Sequence, residues 1–159
     1  MIKIETNKIV HDLKWLFDDA ITLYQMNRKF SAILLLLCAI DALAKRQEPG
    51  NKNVGERFEN FLRNKMRREG RSQIHNIYVP QKDKLYTFEF LIYKFLRNPI
   101  IHEGAQLELD SQDNYTVCID WDDLPNGVKV DSENNRVILG GELVFNILAD
   151  AAYEGLLAI

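Results

Sequence analysis

The sequence has almost no cysteine. Its two, Cys38 and Cys118, lie 80 positions apart with neither CxxC nor Cys/His metal spacing, which argues against a disulfide framework and against a zinc site. Both read as buried small hydrophobes. Long apolar runs are lacking too: the longest, AILLLLCAI from Ala32 to Ile40, is nine residues, where a membrane span needs roughly 20, and Asp41 closes it. The N-terminal MIKIETNKIVHDLKWLFDD mixes charges through the region where a signal peptide carries an apolar stretch, so a cytoplasmic protein is expected. There is no P-loop, dinucleotide fingerprint or Ser/His/Asp order, and no internal repeat or low-complexity tract. No metal or cofactor is expected.

What remains is an ordinary globular composition. With 159 residues, 47% hydrophobic and 27% charged, the chain is long enough for one domain with a real core. The net charge of −3 hides a segregation. Residues 1–61 carry 9 basic and 8 acidic side chains, residues 62–97 carry 9 and 3, and residues 98–159 carry 2 and 12. The basic segment contains RNKMRREGR, which supplies Arg63, Lys65, Arg67, Arg68 and Arg71 against the single Glu69. Such a run is either a solvated helix face or a nucleic-acid footprint.

Periodicity predicts a mainly helical protein. Ile9, Leu13, Leu16, Ala20 and Leu23 form the stripe of a first helix from about Glu5 to Met26. A second, Ser31 to about Lys45, is apolar nearly all round, which suits a central position in a bundle. A third opens at Asn53, where Asn followed by Glu56 resembles a capping box, and buries Val54, Phe58, Phe61 or Leu62, and Met66. After a polar loop containing Gly70 and Pro80, a fourth runs from about Asp83 to Arg97 with Leu85, Phe88, Leu91, Ile92 and Phe95 at helical spacing. Phe90, Tyr93 and Leu96 occupy its other faces, so either its own chain covers it all round or a second subunit shares it.

After Gly104 the period changes to two. Tyr115, Val117, Ile119 and Trp121 alternate with Thr116, Cys118 and Asp120, Pro125 to Gly127 form a turn, and GVKVD and RVILG continue as short strands. A small antiparallel meander is expected, closed by Gly140 and Gly141 and followed by a last helix from Glu142 to about Leu157 that buries Leu143, Ile147, Leu148, Ala151 and Leu156.

The stretch KFLRNPIIHEG, Lys94 to Gly104, is the anomaly. A proline inside a helix costs about 3 kcal/mol, yet Pro99 stands between Arg97, Asn98 and His102. Arg97 and His102, five apart, would lie about 140° from each other on a regular helix, whereas Asn98 and His102 share a face. Either Pro99 rewinds the backbone locally, or Asn98 caps a short new turn that Pro99 begins. His102 is then a helix-end residue favoured by the dipole, or a group that titrates near neutral pH in a site. Asp41, within the apolar second helix, is either exposed beside Lys45 or buried against a basic group such as Arg97.

LRNPIIHEG resembles the Arg-polar-x-x-x-His motif of the HEPN superfamily, a group of helical-bundle proteins named for nucleotide binding in higher eukaryotes and prokaryotes. The resemblance covers roughly residues 5–104 and the terminal helix. It implies a single HEPN-like domain over residues 1–159, a bundle of four to five helices with the β-meander of about 105–139 as an insertion. It also implies a metal-independent endoribonuclease of phage defence or stress response, working as a homodimer that joins two motifs in one cleft. Arg97 would bind the scissile phosphate, His102 would move a proton or hold the phosphate, and Asn98 would orient the pair. Arg63, Lys65, Arg67, Arg68 and Arg71 would bind the RNA backbone. Gly104 stands where toxin-type members often carry Tyr, which points away from the branch paired with a nucleotidyltransferase antitoxin. The acidic C-terminal third, with Asp120, Asp122 and Asp123 beside Trp121, would repel a phosphate backbone. The alternative the family offers is a non-catalytic module that binds a protein partner or a nucleotide.

Overall fold

A computed structural model describes residues 2–66, 76–97 and 116–159, with side chains from residue 12 onward. The protein is mainly helical, with five helices and small sheets among these residues. No described helix is long and apolar enough to cross a membrane. The chain divides into two compact units: Met1–Arg68 with Ile147–Ile159, and Glu69–Asn146.

The first unit is helical. α1 (Ile2–Gln25) packs on α2 (Lys29–Gln47), which packs in turn on α3 (Val54–Met66). Of the α1 stripe, Leu13 and Ala20 are buried and Leu16 and Leu23 half-buried, while the side chain of Ile9 lies outside those described. α1 stops in a left-handed cap. Asn27 takes φ 61°, Arg28 N–H donates to the Leu23 carbonyl at 2.8 Å and Asn27 N–H to that of Tyr24 at 3.0 Å, the paired bonds that satisfy the last carbonyls of a helix. Asparagine tolerates this conformation better than other non-glycine residues.

α2 is the centre of this unit, with Ala32, Ile33, Leu36, Leu37, Ala39, Ile40, Leu43 and Ala44 all buried, as an all-round apolar helix requires. Asp41 is half-buried, between its two expected states. The turn into α3 is polar. Asn53 Oδ1 accepts from Glu56 N–H at 3.1 Å, while Asn53 N–H donates to Asn51 Oδ1 at 3.0 Å. The cap forms as expected, but Asn51 does what the Glu of a capping box does. α3 buries Phe58, Phe61 and Leu62. Val54, expected inside, is exposed because it opens the helix on the polar turn, and Met66 is half-buried. The end of the last helix, α5 (Gly141–Leu157), completes the unit. Its Gly155 leaves room for Phe61 and Leu43, and Tyr153 lies 6.0 Å from Phe17 between ring centroids.

The second unit departs from expectation. Residues read as loop and helix start form a hairpin, β1 (Asn76–Val79) antiparallel to β2 (Lys84–Thr87), joined by a 3₁₀ turn Pro80–Lys82 and a left-handed Asp83. Tyr78 Oη donates to Asp83 Oδ1 at 2.7 Å, a bond that raises the Tyr78 pKa. The fourth helix therefore begins at Phe88, where Thr87 Oγ1 caps Phe90 N–H at 3.2 Å. Leu85, placed on the buried stripe by helical spacing, is 59% exposed on a strand. α4 (Phe88–Leu91) then widens into a π-helical run, Ile92–Arg97.

The expected meander is a mixed sheet. β4 (Val128–Asp131) and β5 (Arg136–Gly140) are antiparallel, but β3 (Thr116–Asp120) pairs parallel to β5, and the order is β3-β5-β4. Alternation identifies a strand but not its neighbour. The loop after β3 decides it, because it is anchored to the β5–α5 junction instead of folding back. Leu143 N–H donates to the Pro125 carbonyl at 3.1 Å, and Gly140 N–H to that of Gly127 at 2.7 Å. A Cβ on Gly141 would fall within the Trp121 ring, and one on Gly140 would strike the carbonyls of Leu124 and Pro125. The glycine pair is thus required by close approach. α5 buries Val144, Phe145, Leu148, Ala151 and Ala152. Leu143, Ile147 and Leu156, assigned to its core face, are only half-buried.

Candidate functional site

Of the three motif residues, Arg97 is described, while Asn98 and His102, with Pro99 and Gly104 of the same stretch, lie outside the described residues. Arg97 ends the π-helical run. Residues in π geometry bond five apart instead of four, and such turns concentrate at functional sites and where a helix adapts to an interruption. A proline at 99 has no N–H to return to the preceding turn, so a widened turn just ahead of it is a physical accommodation. Arg97 is half-buried, with its guanidinium carbon 5.5 Å from the ring centroid of Tyr93.

The same element carries a second cation on aromatic surface. Lys94, exposed, holds Nζ 5.5 Å from the Phe90 ring and 5.8 Å from that of Phe95. Phe90 lies 5.9 Å from Tyr86 and 6.2 Å from Phe95 between centroids. This interleaving of basic and aromatic groups suits both phosphate and base surfaces. The i, i+4 spacing of Phe90 with Lys94 and of Tyr93 with Arg97 is the sequence signal for these pairs. The oily side of the element is filled from within: Phe88, Leu91, Ile92, Phe95 and Leu96 are all buried in this single chain. An all-round apolar helix therefore does not by itself demand a second subunit here.

The expected RNA-binding run is described only at Arg63 and Lys65; Arg67, Arg68 and Arg71 lie outside the described residues. Arg63 is half-buried, donates from Nη1 to Asn60 Oδ1 at 3.3 Å and stands 3.9 Å from Glu59. Lys65 is 7% exposed with Nζ 5.5 Å from the Phe61 ring. Both belong to the first unit, and Arg97 to the second. His75 and the side chain of His11 are likewise outside the described residues. Among the described ones, no group of three or more His, Cys, Asp or Glu is placed to hold a metal ion. Neither Cys38 nor Cys118 is in a disulfide, and each is half-buried where full burial was expected.

A cleft unforeseen from sequence lies on one face of the β3-β5-β4 sheet, about 570 Å³ in volume, its lining residues all within the second unit. Cys118 and Ile138 pair across its floor, with Lys129 opposite Ile138 on β4. At one end Arg136 Nη2 donates to Asp131 Oδ2 at 2.7 Å and Asn134 Nδ2 to the same oxygen at 2.9 Å. These bonds, Arg136 first, hold the Asp131 carboxyl at about 2. At the other end Asp120 Oδ1 accepts from Asp122 N–H at 2.9 Å and Asp123 N–H at 3.1 Å, which lowers its pKa in that order of cause. Loop chemistry of this kind was visible in DWDD and DSENNR, but the parallel pairing that sets the two ends on one face was not.

Comparison with protein-family models, curated proteins and solved structures finds no match.

Proposed function

We propose that this chain is a HEPN-type, metal-independent endoribonuclease of phage defence or stress response, cytoplasmic and active as a homodimer. The observation that supports the reading is the π-helical turn ending at Arg97. Arg97 and His102 are five apart, the interval that a π register brings into line and an α register separates. On this reading Asn98 orients the pair.

The chemistry asks little of the protein. The 2′-hydroxyl of RNA attacks the adjacent phosphorus, the 5′-oxygen leaves, and a 2′,3′-cyclic phosphate remains. Arg97 neutralises the charge gathering on the phosphate and His102 moves the proton, functions that rest on positioning and electrostatics. The basic and aromatic side chains of Lys94, Phe90 and Tyr93 extend the surface on which a single strand lies. The dimer rests on the resemblance.

The test is incubation of the protein with mixed single-stranded RNA in EDTA. Cyclic-phosphate and 5′-hydroxyl ends are expected; intact RNA over a range of pH contradicts the proposal. The second reading, a non-catalytic interaction module, is favoured by the acid-lined cleft, a surface ill-suited to phosphate.

A further inference from the structure

The cleft on the β3-β5-β4 sheet is independent of the motif and of any nuclease activity. It has the size of a ligand site, and its lining carries four carboxylates against two cations. The charges are not equally available. Arg136 and Asp131 are committed to each other, and Asp120 to the amides of its own loop. Asp122 and Asp123 are exposed at the loop end, where their backbone amides donate to Asp120 Oδ1. Half-buried Trp121 lies between them and Asp120 in the chain, its ring against Gly141, and so reports on this end of the cleft. The middle of the floor is apolar at Ile138, and Lys129, exposed, is the one lining cation not held by an ion pair in the cleft. The two ends are about four strand residues apart, on the order of 13 Å, which exceeds the reach of a single small ion.

We propose that this sheet face docks a basic peptide segment of a protein partner, with cationic side chains at Asp122 and Asp123 and an apolar one over Ile138. Complementarity of charge chooses the occupant: a nucleic acid would meet the acidic rim, and a simple cation would leave the apolar floor uncovered.

The experiment uses the full chain carrying Trp15→Phe, so that Trp121 is the sole tryptophan and is excited selectively over tyrosine. It is titrated with an alternating arginine–leucine octapeptide, the matching glutamate–leucine octapeptide, and single-stranded RNA. The basic peptide is expected to shift Trp121 emission at 1:1 stoichiometry, and the other two to leave it unchanged. Asp122→Asn with Asp123→Asn should weaken binding about tenfold, the sum of two surface charge pairs. Lys129→Glu should tighten it severalfold, and Asp18→Asn on α1 should leave it unchanged. The proposal is overturned if the basic peptide gives no shift at millimolar concentration, if RNA or the acidic peptide shifts Trp121 emission instead, if Lys129→Glu weakens binding, or if Asp18→Asn weakens it as much as the double variant does.

Discussion

The guanidinium carbon of Arg97 lies 5.5 Å from the ring centroid of Tyr93, one residue type stacked on the other within a π-helical turn. The arrangement helps set the direction of a long side chain. If Arg97 serves a phosphate, the ring is part of the site: Tyr93→Phe should leave RNA cleavage near wild type, whereas Tyr93→Leu should reduce it several-fold, reflecting a cation–π term of about 0.5–1 kcal/mol. Equal rates for the two variants would show that the ring does not orient Arg97.

Gly141 is predicted to be intolerant of a side chain. A Cβ there meets the Trp121 ring, whereas one at Gly50 has nothing within 4 Å. By urea denaturation Gly141→Ala should lose about 1–3 kcal/mol, the range for overpacking. Gly50→Ala should be neutral or gain up to about 1 kcal/mol through the unfolded state. A neutral Gly141→Ala would mean that the loop holding Trp121 is not clamped to the start of α5.

Asp131 makes acid stability specific. Its carboxyl is held at about 2 by Arg136 and Asn134, against an ordinary 3.8. A depressed carboxylate stabilises the fold fully above the unfolded value and loses that contribution as pH falls through the folded one. The difference in denaturation midpoint between wild type and Asp131→Asn should therefore be constant above about pH 4 and shrink between pH 4 and 2. A difference that persists at pH 2 would show that the substitution acts through something other than the charge.

Local signals were the legible part of this fold. The stripe of Leu13 and Ala20, the all-round apolarity of Ile33 to Ala44, and Asn53 as a cap each follow from neighbours within a few positions, and each appears as read. The hairpin was missed because Leu85, Phe88 and Leu91 fit a helical spacing while Ile77, Val79 and Tyr86 alternate across strands, and the two patterns overlap at residues 84–88. Thr87, a good cap followed at once by Phe88, marks the true start. The parallel partnership of β3 and β5 was illegible for another reason, since it depends on Trp121 meeting Gly141 twenty positions away. Of the candidate site, the sequence named Arg97 but not its support from Tyr93, and the acid-lined cleft emerged only once β3 and β5 were side by side.

The central claim is that Arg97 and His102 act on a phosphate, and its most direct measurement is the rate of single-stranded RNA cleavage in EDTA by Arg97→Ala and His102→Ala beside wild type, each fold checked by thermal melt. The account predicts that both variants melt close to wild type, because a group that serves a phosphate does not fill a core cavity, and substitutions of that kind usually cost little. It predicts that both lose at least about 100-fold in rate, because a preorganised charge or a proton shuttle is gone. Folded variants that cleave as fast as wild type, or a wild type that cleaves nothing, would contradict it.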